Sequence, residues 1–424
     1  MNTAIAKITA MFQDRRILLK LLAILIGFFA LRFLSNIPIP GIDTTQIQNF
    51  LNANQFLGLL NIFSGGGLST LSLGMIGVGP YITASIILQL MTVMIPSLKK
   101  MYHEEGSIGR KKFNSFTRLA TVPIALLQGL ALLLLLSKQG VIPNLTPMVM
   151  MTNMLIVAAG SMLIMWIGEL LNEYGIGNGT SMLVFAGIVA SLPRVVSQAV
   201  QTYSPEMLPL YIGITLLLLV IIAGITYVTE AERPIPITYA KAVRSGTMFG
   251  GVASYIPLRI NMTGVMPIIF APAILLFPQF ILKLIVGSST TGTLYKISTA
   301  FTNFSQTEIW YPVVYFLLVV IFTFFYTAVT VDVEAMSENL QKNGAFIPGV
   351  RPGEDTAEYI GKVLTRITVF GAVFLGIIAV LPVIVQNATN MALFAIGGTS
   401  VLIAVNVITD VIKKVDAYLE LGNL

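Results

Sequence analysis

The chain has 424 residues, of which 55% are hydrophobic and only 10% charged, a balance that excludes a soluble globular protein of this length. It carries no cysteine and a single histidine, His103, which excludes a disulfide framework, thiolate chemistry and a multi-histidine metal site. The net charge of +6 admits nucleic acid as a partner on composition alone, but the placement of the basic residues argues against it.

Met1 to Lys20 is basic and leads into an apolar run, as a secretory signal does. The run is long and no small-residue cleavage site follows it, so it reads as a retained first span. Apolar runs of bilayer-spanning length recur near 18–37, 75–95, 115–136, 150–171, 180–200, 209–229, 261–282, 309–331, 365–385 and 391–410. The expected fold is an all-α polytopic membrane protein of about ten helices, with both chain ends on one side. It has no soluble domain, long linker or low-complexity tract. An even span count divides into an N-terminal half, residues 1–200, and a C-terminal half, residues 201–424. Two such halves have opposite topology and can be related by an axis in the membrane plane. No sequence repeat marks that relation.

Between the first two spans lies NIFSGGGLSTL, Asn61 to Leu71. It is too apolar for a solvated loop and too short to cross a bilayer. Gly65, Gly66 and Gly67 oppose a helix, because glycine is costly to order. Such a segment is tolerated at membrane depth only where protein or a water-filled cavity surrounds it. It is therefore expected inside a pore.

With the N-terminus inside, 20 of the 25 Lys and Arg fall in inner segments. The outer side keeps Lys138, Arg194, Lys283 and Lys296, with Arg32 near the outer end of the first span. The outer loop from Asn36 to Gly74 has neither Lys nor Arg. The positive-inside rule thus places both ends in the cytoplasm. Two inner loops are long. Residues 230–259 include RPIPITYAK, with Pro234 and Pro236 at strand-like spacing and the basic residues Arg233, Lys241 and Arg244. Residues 332–366 include FIPGVRPGED, in which two Pro-Gly pairs make tight turns around an exposed Arg351. The two read either as solvated loops obeying the positive-inside rule or as a cytosolic docking platform, since loops of this length without a domain of their own are usually functional.

Catalytic and cofactor signals are missing. GIGNG, Gly175 to Gly179, lacks the Lys-Ser/Thr of a phosphate-binding loop and reads as a tight turn between spans. Ser97 and Lys100 form an unsupported SxxK, and Glu104 and Glu105 sit in a basic loop. Glu169, Glu173, Glu230, Asp332 and Asp410 all fall at inner ends of spans, and Arg32 is expected to snorkel outward. No catalytic residue, metal ligand or cofactor site is assigned. An ion-coupled secondary transporter with discontinuous helices is the alternative reading, and it predicts an intramembrane coupling carboxylate. A membrane enzyme would need a catalytic dyad within the spans. A pore without polar sites instead gates by an apolar constriction.

Seven stretches, in this order and topology, resemble the SecY/Sec61-alpha family of protein-translocation channels. They are IPIPGID (Ile37 to Asp43), LNIFSGGGLS (Leu60 to Ser69), GPYITASIILQL (Gly79 to Leu90) and GIGNGTSMLVFAGIVASLP (Gly175 to Pro193). RINMTGVMPIIFAPAILLFP (Arg259 to Pro278), FIPGVRPG (Phe346 to Gly353) and GGTSVLIAV (Gly397 to Val405) complete the set, so the likeness covers nearly the whole chain.

The resemblance implies an hourglass pore between the two five-helix halves. It implies a plug, a short helix before the second span, at Ile62, Phe63, Ser64, Gly65, Gly66, Gly67, Leu68, Ser69, Thr70 and Leu71. The implied pore ring is Val78, Ile82, Val184, Ile188, Ile269 and Ile403. Two of its pairs are spaced i, i+4 and so share a helix face. On composition alone all six would be ordinary packing residues. A lateral gate to lipid is implied where Thr83, Gln89, Thr92 and Asn261 give the seam polar character. Docking of cytosolic partners falls to Arg233, Lys241, Arg244 and Arg351. The chain departs from the family there, with Pro234 after Arg233 and Gly246-Thr247 where a basic pair is expected. The implied partners are the small single-span subunits SecE and SecG, the motor ATPase SecA, the ribosome, signal sequences and nascent polypeptides, and membrane lipid. The expected location is the cytoplasmic (inner) membrane.

Overall fold

A computed structural model of the chain describes residues 14–39, 61, 64–138, 146–201, 205, 208–239, 242–244, 247–249, 253–272, 274–275, 310–389 and 397–422. Helix α1 is Arg15–Leu34, begun by the Asp14 carboxylate, which accepts the Arg16 backbone N–H at 2.8 Å. Helix α2, Gly79–Met94, carries Pro80 in its first turn, where no N–H is needed. It ends at an extended Ile95, because Pro96 disfavours helical backbone in the residue before it. Helix α3, Pro96–His103, then leaves at 115°.

Helices α4 (Gly106–Lys138), α5 (Pro147–Tyr174), α6 (Gly179–Gln201) and α7 (Leu208–Glu230) follow. Strands β1 (Glu232–Tyr239), β2 (Ala242–Arg244), β3 (Thr247–Phe249) and β4 (Ala253–Arg259) come next. The chain continues through α8 (Trp310–Thr330), α9 (Val333–Lys342), β5 (Ala345–Phe346), α10 (Glu354–Thr389) and α11 (Gly397–Gly422).

Among the described residues, six helices are long and apolar enough to cross a membrane, or seven if the bent pair α2–α3 counts as one span. The expectation of about ten is therefore met in part. Of the other expected spans, 180–200 coincides with the 23-residue helix α6, Gly179–Gln201. The expected spans 261–282 and 391–410 lie partly outside the described residues.

The turn between α5 and α6 shows how GIGNG packs helices closely. Gly177 has φ 99°, and a Cβ on Gly179 would fall 2.0 Å from the Gly168 carbonyl oxygen. The Asn178 carboxamide accepts the N–H groups of Thr180 and Ser181, which starts α6. Asn172 accepts the Gly179 N–H at 2.7 Å. The stretch before α2 lies against α5 just as tightly. A Cβ on Gly160 would stand 1.9 Å from the Leu73 carbonyl oxygen, and Ser161 Oγ donates to the Gly77 carbonyl at 2.9 Å.

Ile17 of α1 and Val415 of α11 belong to one apolar cluster. Lys20 Nζ lies 5.2 Å from the centre of the Tyr418 ring and donates to the Gly175 carbonyl at 3.3 Å. The start of α1 and the end of α11 thus meet at the same end of the bundle.

The two long loops, read separately in the sequence, fold together. Strands β4, β1 and β5 form one antiparallel sheet, in which Thr238 is opposite Phe346 and Tyr239 opposite Ala345. Ile235, Ile237 and Leu258 from the hairpin bury with Ile347 and with Ile360 of α10. Asp332 caps α9 by accepting the Ala335 N–H at 2.9 Å.

Candidate functional site

The six ring residues come from four separate stretches. Val78 and Ile82 bracket the start of α2, and Ile82 N–H donates to the Val78 carbonyl at 3.1 Å. Val184 and Ile188 lie one turn apart on α6, Ile269 in the helical stretch 266–272, and Ile403 on α11. All six are less than a tenth exposed and belong to one apolar cluster. Aliphatic side chains offer no hydrogen bond to solute or peptide. Moving an ion into such surroundings costs several kcal/mol.

A cavity of about 590 Å³ borders this cluster. Met182, Val265 and Val407 line the cavity and belong to the cluster. The remaining lining is largely polar, including Asn178, Arg259, Asn261, Asn406 and Asp410. Asn406 Oδ1 accepts from Thr229 Oγ1 at 3.0 Å, whereas its buried Nδ2 has no partner in the protein. Arg259 pairs with Glu232 at 3.2 Å, and Lys414 with Asp410 at 3.2 Å. The hollow thus combines polar side chains with Met182, Val265 and Val407, through which it borders the apolar cluster. Neither Asn406 nor Thr229 stood out in the sequence, although an Asn inside LIAVNVIT was a signal available to find.

The described plug residues, Ser64 to Leu71, form successive turns rather than the short helix expected. The reason is local. Gly65 and Gly66 have φ 68° and 87°, and Leu71 has φ 43°, all outside helical backbone. Ile62 and Phe63 lie outside the described residues. Leu68 and Leu71 are fully buried, in a second apolar cluster with Leu132, Leu133 and Leu136 of α4 and Val157 of α5. Ile39 N–H donates to the Leu71 carbonyl at 2.9 Å, and Leu73 N–H to the Ile37 carbonyl at 3.0 Å. Arg32 does not simply snorkel into solvent, since its guanidinium donates to the Gly65 carbonyl.

The four gate candidates make mostly local bonds. Thr83 Oγ1 donates to the Gly79 carbonyl, and Thr92 Oγ1 to the Gln89 carbonyl. Gln89 Nε2 donates to Ser85 Oγ at 3.2 Å, and its buried Oε1 has no partner in the protein. Asn261 accepts from Thr263 Oγ1 at 3.2 Å. The interhelical bond comes from a residue the sequence reading passed over, Gln128 of α4, which donates to Thr83 Oγ1 at 3.2 Å. A lone Gln in an apolar run was the available signal.

Of the docking candidates, Arg233 and Arg351 are exposed. Arg351 stands between Gly349 at φ 85° and Gly353 at φ 104°, and its carbonyl accepts from Thr356 Oγ1 at 2.7 Å. Lys241 and the side chain of Arg244 lie outside the described residues.

Comparison with known proteins gives one answer throughout. The SecY family model matches residues 72–412. The Protein translocase subunit SecY of Synechocystis sp. is 40% identical over 387 residues, covering 90% of this chain and 87% of that protein. The Protein translocase subunit SecY of Aquifex aeolicus is 39% identical over 425 residues, covering 97% and 96%. A solved structure described as "The structure of a protein conducting channel" shares the fold, with TM-score 0.64, 18% identity and coverage of 95% of this chain and 92% of the other. With a family model matched across most of its length and relatives of this identity spanning it nearly end to end, the chain belongs to the SecY family.

Proposed function

We infer that the chain is a multi-pass membrane protein that forms a protein-conducting channel, and that it is not an enzyme. The observation that carries this reading is a cavity with many polar side chains in its wall that borders the apolar cluster, built on a fold shared with a protein-conducting channel. The proposed arrangement has ten spans in two inverted halves, 1–200 and 201–424, around an hourglass pore. Val78, Ile82, Val184, Ile188, Ile269 and Ile403 form the ring that closes around a passing chain. Their burial together and their lack of polar groups support this. Residues 62–71 act as the plug. Thr83, Gln89, Thr92 and Asn261, with Gln128, line the seam through which apolar segments pass into lipid.

Arg233, Lys241, Arg244 and Arg351 dock the motor ATPase SecA and the ribosome, while SecE and SecG complete the channel. Both chain ends are cytoplasmic, as the distribution of Lys and Arg indicates, and the membrane is the cytoplasmic (inner) one. Energy comes from the partners.

The test is reconstitution of the protein with SecE, SecG and SecA in lipid vesicles. An unfolded precursor bearing a signal sequence becomes protease-protected when ATP is added. Vesicles that protect no precursor, yet accumulate a small solute against an ion gradient, would establish the transporter reading instead.

A further inference from the structure

The hairpin of β1 and β4 borders the cavity, since Pro257 and Arg259 of β4 line it. A free strand edge is a row of unpaired N–H and C=O groups ready to bind another extended chain. Such strand addition draws its affinity from the main chain and so acts on almost any unfolded polypeptide. A channel that passes unfolded chains across such an edge risks capturing them there.

The register shows which backbone groups face outward. Ile260 N–H donates to the Ala231 carbonyl at 3.0 Å, so these two residues form a hydrogen-bonded pair. Bonded and non-bonded pairs alternate along an antiparallel ladder. With Arg233 opposite Leu258, Ile235 opposite Ile256 and Ile237 opposite Ser254, those three pairs also bond across the hairpin. The peptide groups of Glu232, Pro234, Pro236 and Thr238 on β1 then point away from β4. Those of Tyr255, Pro257 and Arg259 on β4 point away from β1.

Thr238 is met by β5, and among the described residues no other strand pairs with that edge of β1, which leaves prolines at both of its interior positions. Among the described residues no strand pairs with the outer edge of β4, where proline sits between Tyr255 and Arg259. Each proline is placed where its missing N–H takes no bond from the hairpin and removes a donor from the outside. All three are solvent-exposed, so apolar burial does not account for them.

We propose that Pro257 keeps the cavity-facing edge of β4 from capturing the unfolded polypeptide in transit by strand addition. Pro234 and Pro236 silence the far edge of the same hairpin, away from the polypeptide. The proposal rests on the channel reading above and extends it to how the cavity avoids holding its cargo. The commitment to Pro257 follows from its position on the cavity wall, where Pro234 and Pro236 are absent.

The test compares Pro257→Val and Pro236→Val in the reconstituted vesicles, at equal amounts of inserted protein. Two precursors are used, alike except for one central segment. In one the segment is a Val/Thr-rich strand former, and in the other a proline stands at every third position. Pro257→Val is expected to slow protection of the strand-forming precursor about five-fold, the worth of one added backbone hydrogen bond. The proline-bearing precursor keeps its wild-type rate, and Pro236→Val leaves both unchanged.

If Pro257→Val fails to insert, Pro257→Ala restores the same N–H with less strand preference and is expected to slow the strand-forming precursor by a smaller factor. The proposal is overturned if the Pro257 variant runs both precursors at the wild-type rate or slows both alike. It is also overturned if Pro236→Val slows the strand-forming precursor equally. If the wild-type protein protects neither precursor, the channel reading fails instead.

Discussion

Arg32 Nη1 lies 3.3 Å from the carbonyl oxygen of Gly65, so the last turn of the first helix holds the first glycine of the segment proposed as the plug. Two further bonds join the same elements. Ser35 Oγ donates to the Ser64 carbonyl at 3.3 Å, and Thr70 Oγ1 to the Ser35 carbonyl at 2.6 Å. The guanidinium is partly solvated, which limits its contribution to about 1 kcal/mol. Arg32→Ala is expected to shift the closed–open balance by roughly five-fold toward open. The measurement is ion conductance of the resting protein in planar bilayers. Conductance equal to wild type would show that Arg32 does not hold the plug.

A charge placed in the ring should break the seal. Ile188→Lys and Ile403→Asp each put an ionised group into a predominantly aliphatic cluster, which draws water inward. Both are expected to raise resting ion leak and to admit precursors with defective signal sequences. Unchanged leak with unchanged signal stringency would remove these residues from the ring.

Gly160 tests packing separately from gating. A Cβ there meets the Leu73 carbonyl oxygen at 1.9 Å, a backbone atom that cannot swing aside. Gly160→Ala is expected to cost about 3 kcal/mol and to lower the amount of protein that accumulates in the membrane. Gly213→Ala, where nothing lies within 4 Å, should accumulate normally. Equal accumulation of the two variants would contradict the close approach of the pre-α2 segment to α5.

Local signals were read more successfully than distant ones. Pro234 and Pro236 announced a strand, GIGNG a tight turn, and Pro348-Gly349 and Pro352-Gly353 the turns flanking Arg351, because each follows from the backbone limits of the residues involved. The union of the two long loops was not legible. It depends on a two-residue strand, Ala345–Phe346, meeting β1 across about a hundred residues, and no periodicity marks so short a strand. The Gln128–Thr83 bond was hidden for the same reason, since nothing near Gln128 in the sequence names its partner. In the candidate plug segment the three glycines opposed a helix, whereas the family resemblance implied a short one, and the structure shows turns. Left-handed backbone at Gly65 and Gly66 explains the difference.

Arg351 carries the docking prediction. Its side chain is exposed while its carbonyl is fixed by Thr356, so charge reversal leaves the turn intact. Arg351→Glu is expected to change stability by no more than about 0.5 kcal/mol. It is expected to impair transport driven by SecA or the ribosome while membrane insertion of the channel stays normal. Normal transport in this variant would remove Arg351 from the docking surface.

The absence of cysteine from the chain permits the most direct measurement of all. Single cysteines at Ile188, Ile403 and the exposed, apolar-helix position Leu219 can each be offered to a stalled precursor that carries one cysteine in its transiting stretch. The account predicts disulfide cross-links at 188 and 403 and none at 219. Cross-linking at 219 without any at 188 or 403 would contradict a polypeptide path through the ring.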